Sequence, residues 1–135
     1  MNVRRMMAAG LLGALLVWSA AGVAAGGIAI QEYQGVKYVT GGVGGDERDF
    51  LKSVQGQFNL NLMFAAGGGA FLSSVKVVIQ DARGGTVLDA VADGPLFYAA
   101  LPPGSYTVTA TADQKSQQRK VAIAAGRTAK ADFRW

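Results

Sequence analysis

From Gln57 onward, apolar and polar positions alternate with a period of two. Phe58, Leu60, Leu62 and Phe64 interleave with Gln57, Asn59, Asn61 and Met63. Successive side chains of a strand point to opposite faces, so this pattern predicts a strand with one buried side. The rhythm returns in Val75, Val77 and Ile79 against Lys76, Val78 and Gln80, and again in Thr86 to Val91. Leu96 to Leu101 is apolar on both sides, which places it in the interior of a sheet. Tyr106, Val108, Ala110 and Ala112 alternate with Ser105, Thr107, Thr109 and Thr111; Gln117 to Ile123 follows. In the last strand Ala129, Ala131, Phe133 and Trp135 face away from Thr128, Lys130, Asp132 and Arg134. Between these runs lie Gly67-Gly68-Gly69, Asp81-Ala82-Arg83-Gly84-Gly85, Asp93-Gly94-Pro95, Asp113 to Ser116 and Ala125-Gly126-Arg127, spaced as the loops of a β-sandwich are.

The stretch Leu101-Pro102-Pro103-Gly104-Ser105-Tyr106-Thr107-Val108 joins a turn to the most regular of these strands. Pro103 presets the backbone for the second position of a tight turn, and Gly104 accepts the positive φ of a type II turn. Pro102 has no amide hydrogen and ends the strand before it. Leu101 is expected to plug the core, and Tyr106 to carry its hydroxyl back to a nearby backbone group as in a tyrosine corner.

Residues 26–56 depart from the pattern. Ile28 to Tyr33 and Val36 to Thr40, separated by Gln34-Gly35, suggest an extended segment or a small hairpin. Gly41-Gly42-Val43-Gly44-Gly45 reads as a flexible approach to a short helix over about residues 46–55. Asp46 is the expected cap, Asp46, Glu47 and Asp49 suit the helix's positive end, and Phe50, Leu51 and Val54 form its apolar face. The helix is expected to lie across an edge or an open end of the sheets. The fold class is therefore all-β: a seven-stranded sandwich over residues 57–135, with a short helix and a hairpin-like segment before it.

Residues 1–25 read as a secretory signal peptide. Arg4 and Arg5 precede an apolar run from Met6 to Ala25, and Val23-Ala24-Ala25 supplies the small residues that cleavage requires. A retained anchor is the competing reading. Cleavage would leave eleven basic against nine acidic residues, a net charge of +2 instead of +4. No block of Lys and Arg is dense enough for a nucleic-acid footprint. The absence of cysteine means that an exported domain would be held by packing and not by disulfides.

With its Gly84-Gly85 turn and the Val75-Lys76-Val77-Val78-Ile79 strand, the Leu101–Val108 stretch resembles the carboxypeptidase regulatory-like domains, which are prealbumin-like, immunoglobulin-type sandwiches. Gly41-Gly42-Val43-Gly44, Asn59-Leu60-Asn61-Leu62, Gly94-Pro95 and Trp135 further resemble small exported proteobacterial proteins that carry such a domain. The resemblance covers about residues 57–135. It implies a sandwich fold and is nearly silent on function, because related sandwiches serve as structural, adhesive and binding modules.

Histidine and cysteine are both absent, which removes a Ser-His-Asp triad, a thiol nucleophile and a histidine-rich zinc site. Capping accounts for Asp46, Glu47 and Asp49 more simply than a carboxylate-only mechanism does. The glycines at 41–45 lack the lysine and hydroxyl residue of a phosphate loop. Asp81, Asp89 and Asp93 lack calcium-loop spacing and fit ordinary turns. No cofactor, metal site or catalytic residue is therefore expected.

The expected function is that of a non-catalytic, periplasmic or secreted module acting on a protein partner or envelope component, with no nucleic acid and no membrane span after cleavage. Its candidate interaction surface comprises Tyr33, Tyr38, Asp46, Glu47 and Tyr98. The alternative is a carbohydrate-binding module using Tyr33, Tyr38, Tyr98 or Trp135 as stacking aromatics. Against it stands the expectation that Trp135 and one of Phe97 and Tyr98 fill the core. A membrane β-barrel ending on Trp135 is disfavoured because the strands are short and polar on one side.

Overall fold

The computed structural model describes residues 28–66, 72 and 74–135, so the signal peptide expected at 1–25 and the glycines at 67–69 lie outside the described residues. The elements are β1 (Gln31–Tyr33), β2 (Val36–Gly41), α1 (Gly45–Val54), a 3-10 turn (Gln55–Gln57), β3 (Leu60–Ala65), β4 (Val75–Asp81), β5 (Thr86–Ala92), β6 (Leu96–Ala99), β7 (Gly104–Ala112), β8 (Lys115–Ile123) and β9 (Ala129–Arg134). They form a four-stranded sheet in the order β8-β7-β4-β5 and a five-stranded sheet in the order β9-β3-β6-β2-β1. All pairings are antiparallel except β9 with β3, which is parallel.

The described residues form nine strands where the alternation predicts seven. The two additional strands are those of the N-terminal hairpin. β2 pairs with β6, Val39 opposite Tyr98 and Tyr38 opposite Ala99, so residues on both sides of position 57 share one sheet. Gln34 (φ 48°) and Gly35 (φ 89°) form the tight hairpin turn between β1 and β2. Asp113 (φ 50°) and Gln114 (φ 63°) make a second two-residue turn, so β8 begins at Lys115, two residues before the position the sequence predicts. Two consecutive left-handed residues match the right-handed twist of a hairpin, which is why so short a link suffices.

Two apolar clusters hold the layers together. The larger lies between the sheets and contains Leu60, Leu62 and Phe64 of β3, Val77 and Ile79 of β4, Phe97 of β6, Val108 of β7 and Phe133 of β9. The smaller lies on the far side of the five-stranded sheet, where Leu51 and Val54 of α1 meet Val39, Tyr98, Phe58 and Ile28. The helix thus covers the sheet's outer face, and the expectation that it lies across an edge or an open end is corrected. The reason is the two-sided apolar character of β6: Phe97 and Ala99 serve one cluster and Tyr98 the other, with Leu96 packed against the latter.

The Pro-Gly stretch also differs from its sequence reading. Gly104 has φ 155°, far from the roughly +80° of a type II turn, and the backbone at Pro103 only bends. The Tyr106 hydroxyl donates to the carbonyl of Pro102 at 2.7 Å and ties the bend where a turn hydrogen bond would have done so. Leu101 is buried as expected, and its backbone is held by Asn59: Leu101 N donates to Asn59 Oδ1 at 2.9 Å, and Asn59 Nδ2 donates to Leu101 O at 2.7 Å. This amide clamp extends the pairing of β3 and β6 beyond their last backbone bridge.

At the seam between β8 and β9, inward-facing side chains of β8 close the edge. Arg119 Nη2 donates to Asp132 O at 3.4 Å, and its guanidinium carbon lies 5.4 Å from the centre of the Phe133 ring. Gln117 donates to Arg134 O, and Trp135 Nε1 donates to Lys115 O at 2.9 Å. Inward-pointing polar residues of this kind occupy edge carbonyls that would otherwise recruit another strand.

Replacing Tyr106 with Phe removes the bond to Pro102 without changing ring volume. The variant is expected to lose about 1 kcal/mol of stability, read as a lower denaturant midpoint at unchanged slope. A midpoint equal to that of the parent would show that the bend does not depend on this bond.

Candidate functional site

The residues selected from sequence as an interaction surface do not gather in one place. Tyr38 faces the inter-sheet core, stacked on Phe97 with centroids 5.4 Å apart, while its hydroxyl donates to Gln31 Oε1 at 3.3 Å. Tyr98 points the other way, into the helix-covered cluster, where it is 7% exposed and its ring centre lies 6.3 Å from that of Phe58. Tyr33 is half-buried on β1, and Asp46 is exposed on α1. Trp135 is half-buried, with its ring 6.2 Å from Phe64 and 6.1 Å from Phe133. These aromatics are used largely for packing, and a single stacking platform is not assembled from them.

Glu47 has a specific local task. The N-cap of α1 is Gly44, which has no side-chain cap, so the expectation that Asp46 caps the helix is corrected. Glu47 Oε1 instead accepts from the backbone amides of Gly42 and Val43, both at 3.1 Å, and Arg48 Nε donates to Gly42 O at 3.0 Å. A carboxylate three residues into a helix reaches back to the preceding amides in the manner of a capping box. Gly41 and Gly42 are buried and closely packed, not a flexible hinge. A Cβ on Gly94 would lie 2.4 Å from Gly41 O, and one on Gly42, at φ 105°, would lie 3.2 Å from the Leu96 side chain. The signal available in the sequence was Glu47 itself, three residues after Gly44.

The aspartates considered for calcium are separated in the same way. Asp81 Oδ1 accepts from Arg83 N at 3.0 Å and Gly85 N at 2.9 Å, closing its own loop. Asp89 projects from the exposed face of β5, and Asp93 lies in the exposed turn before β6. Among the described residues, no group of three or more His, Cys, Asp or Glu converges as metal ligands would.

Concave regions formed by described residues include three of note. One of about 390 Å³ is lined by Asp81, Tyr106 and Lys120 among others, and one of about 370 Å³ by Asn59, Gly126 and Arg127 among others. Of their polar side chains, Asp81 is bonded within its loop, Tyr106 to Pro102 and Asn59 to Leu101. The third, of about 150 Å³, lies on the outer face of the five-stranded sheet and is lined by Asn61, Tyr98, Leu96, Gln55, Lys130 and Asp132 among others. Here Asn61 is 9% exposed, and its Oδ1 is buried without a hydrogen-bond partner. An unpaired buried carbonyl costs about 1–3 kcal/mol. Alternation alone predicts Asn61 on the wet side of β3, where it instead lies buried beside Tyr98, Leu96, Met63 and Gln55.

On the opposite side of the molecule, none of the described elements packs on the outer face of the four-stranded sheet. Across it run the rows Gln118–Thr109–Val78–Asp89 and Ser116–Thr111–Lys76–Val91, read from the strand register. Thr111 Oγ1 and Ser116 Oγ are 2.7 Å apart, Gln118 Nε2 donates to Thr109 Oγ1 at 3.3 Å, and Val91 is 55% exposed.

No protein-family model matches this chain, and a search of curated proteins gives no significant match. Among the described residues, no helix is long and apolar enough to cross a membrane.

Burial raises the pKa of Tyr38, Tyr98 and Tyr106 above the ordinary 10.0, with a further push from Asp93 on Tyr38 and from Asp81 on Tyr106. The folded state therefore favours the neutral phenols. Their contribution to stability is complete below the unfolded value and is lost as pH rises from about 10 through the raised folded values. Tyrosinate absorbance is expected to appear at higher pH in the native chain than in the denatured chain, with unfolding setting in above about pH 10. Coincident titrations would contradict the burial of these hydroxyls.

Proposed function

We propose that the protein is a non-catalytic, exported β-sandwich module that works by contact with a protein partner of the cell envelope, and that its sandwich is of the prealbumin or immunoglobulin-like type. Two face-to-face sheets and the tyrosine corner at Tyr106 support the fold reading. The basic and apolar N-terminal stretch supports export.

The observation that carries the contact reading is the unequal covering of the two sheets. The outer face of the five-stranded sheet carries α1, whereas that of the four-stranded sheet presents Gln118 and Ser116 on β8, Thr109 and Thr111 on β7, Val78 and Lys76 on β4, and Asp89 and Val91 on β5. Hydroxyls and carboxamides can both donate and accept, and they are cheaper to desolvate than charges. Val78 on β4 and Val91 on the edge strand β5 are diagonal neighbours and give a small apolar patch beside polar side chains, a mixture that protein interfaces share.

The test is affinity capture from envelope extract with the full chain and with a Val91→Lys, Thr109→Lys variant. A partner retained by the parent is expected to be depleted about tenfold by the variant, which places charge within the contact. Equal retention of that partner by both chains, or recovery of the native protein from the cytoplasm on fractionation, would overturn the proposal.

A further inference from the structure

We propose that the outer face of the four-stranded sheet binds a second copy of this chain. The copies stack face to face about a two-fold axis that runs from Val91 to Val78, with Lys76 of each against Asp89 of the other. The inference rests on the reading of that face as a contact surface and names its occupant.

Val78 on β4 lies opposite Asp89 on β5, and Lys76, two residues back, lies opposite Val91. Residues two apart in a strand share a face, so these four side chains form a block. Its corners are about 6.7 Å apart along the strands and about 4.8 Å apart across them. The valines occupy one diagonal, the lysine and the aspartate the other. Val91 is 55% exposed, and Lys76 and Asp89 are exposed too. Neither charged side chain has a hydrogen bond or ion pair among the described residues. The block therefore holds apolar surface in water beside two opposite charges that do not satisfy each other.

A two-fold axis that stacks two identical faces lies in the plane between them, and the second copy is the first reflected across that axis in plan. An axis along the strands through the centre of the block sets Lys76 against Val91 and Asp89 against Val78. One perpendicular to the strands sets Lys76 against Val78 and Asp89 against Val91. Both desolvate charge against hydrocarbon, which is costly. An axis along the charged diagonal sets lysine on lysine and aspartate on aspartate, which is repulsive. Along the valine diagonal, valine meets valine, and each Lys76 comes within about 3 Å in plan of the opposing Asp89, an offset that its long stem spans. The gap of about 10 Å between stacked sheets is one that a lysine and an aspartate side chain close between them. The same axis continues over Thr107, which is uncharged, and brings Thr109 against Gln80 of the second copy, a hydroxyl against a carboxamide. Four strands and about six residues of each give the face at most about 400 Å² in plan. The contact is therefore at the low end of specific interfaces and reversible.

Sedimentation equilibrium of the protein as purified from its cells is expected to show a monomer–dimer equilibrium at concentrations up to about 1 mM, weakened by added salt. Lys76→Asp and Asp89→Lys are each expected to weaken self-association about tenfold, because each sets like charges against one another at both pairs. An equimolar mixture of the two variants is expected to regain the parental association as a heterodimer, in which both pairs again carry opposite signs. If a reversal does not fold, Val91→Glu, at an exposed position on the axis, is expected to give the same loss. A chain that stays monomeric up to about 1 mM, a dimer indifferent to the folded variants, or a mixture that associates no better than its components would each overturn the inference. Retention of an envelope partner by a chain that stays monomeric would overturn the second copy alone and leave the contact reading standing.

Discussion

The organisation of this protein depends on one strand being buried on both sides. β6 is only four residues long, yet Phe97 and Ala99 enter the core between the sheets while Tyr98 enters the cluster under α1. A strand apolar on both faces must be covered twice, because each bare face would leave apolar surface in water at about 25 cal/mol per Å². The inter-sheet core supplies one cover and the N-terminal segment the other. The hairpin of β1 and β2 extends the sheet beside β6, and α1 then lies over Val39 and Tyr98. What looks in sequence like a prefix to a sandwich is in this way part of its packing.

The joints that fix this arrangement are small and specific. Gly94 meets the backbone of Gly41 at a distance that leaves no room for a Cβ. Buried Thr40 accepts from Asp93 N at 3.0 Å and donates to Leu96 O at 2.9 Å. Together with the Glu47 carboxylate on Gly42 and Val43, these contacts tie the entry of α1 to the start of β6. On the other side, Arg119, Gln117 and Trp135 bridge β8 and β9 by side-chain bonds to carbonyls. One seam is closed by backbone proximity and the other by polar side chains.

Much of the fold could be read from alternation, because period two reports directly which side of a strand is buried. The inward set Leu60, Leu62, Phe64, Val77, Ile79 and Val108 follows from it, as does the interior position of β6. The tyrosine corner was legible in the spacing of Tyr106 after Pro102. What alternation cannot report is the second layer on a strand's outer side. Asn61 and Tyr98 appear in sequence as members of wet or ambiguous faces; the burial of Tyr98 depends on where the helix of Leu51 and Val54 comes to rest, and that of Asn61 on its outer-face neighbours Tyr98, Leu96 and Gln55. The same limit explains the candidate surface: Tyr38 and Tyr98 sit opposite adjacent residues in register, yet point to opposite faces. The cap of α1 is Gly44, two positions before Asp46, and a glycine has no side chain by which the sequence could mark it as a cap.

The central claim is that the N-terminal hairpin and helix are bound to the two sheets in one cooperative unit through β6. Native-state hydrogen exchange tests it most directly, by comparing amides of α1, β2 and β6 with those of β4 and β7 as denaturant is raised. The account requires the best-protected amides of both groups to merge into one global unfolding transition. Loss of protection in α1 and β2 at a much lower opening free energy, with β4 and β7 still protected, would contradict it.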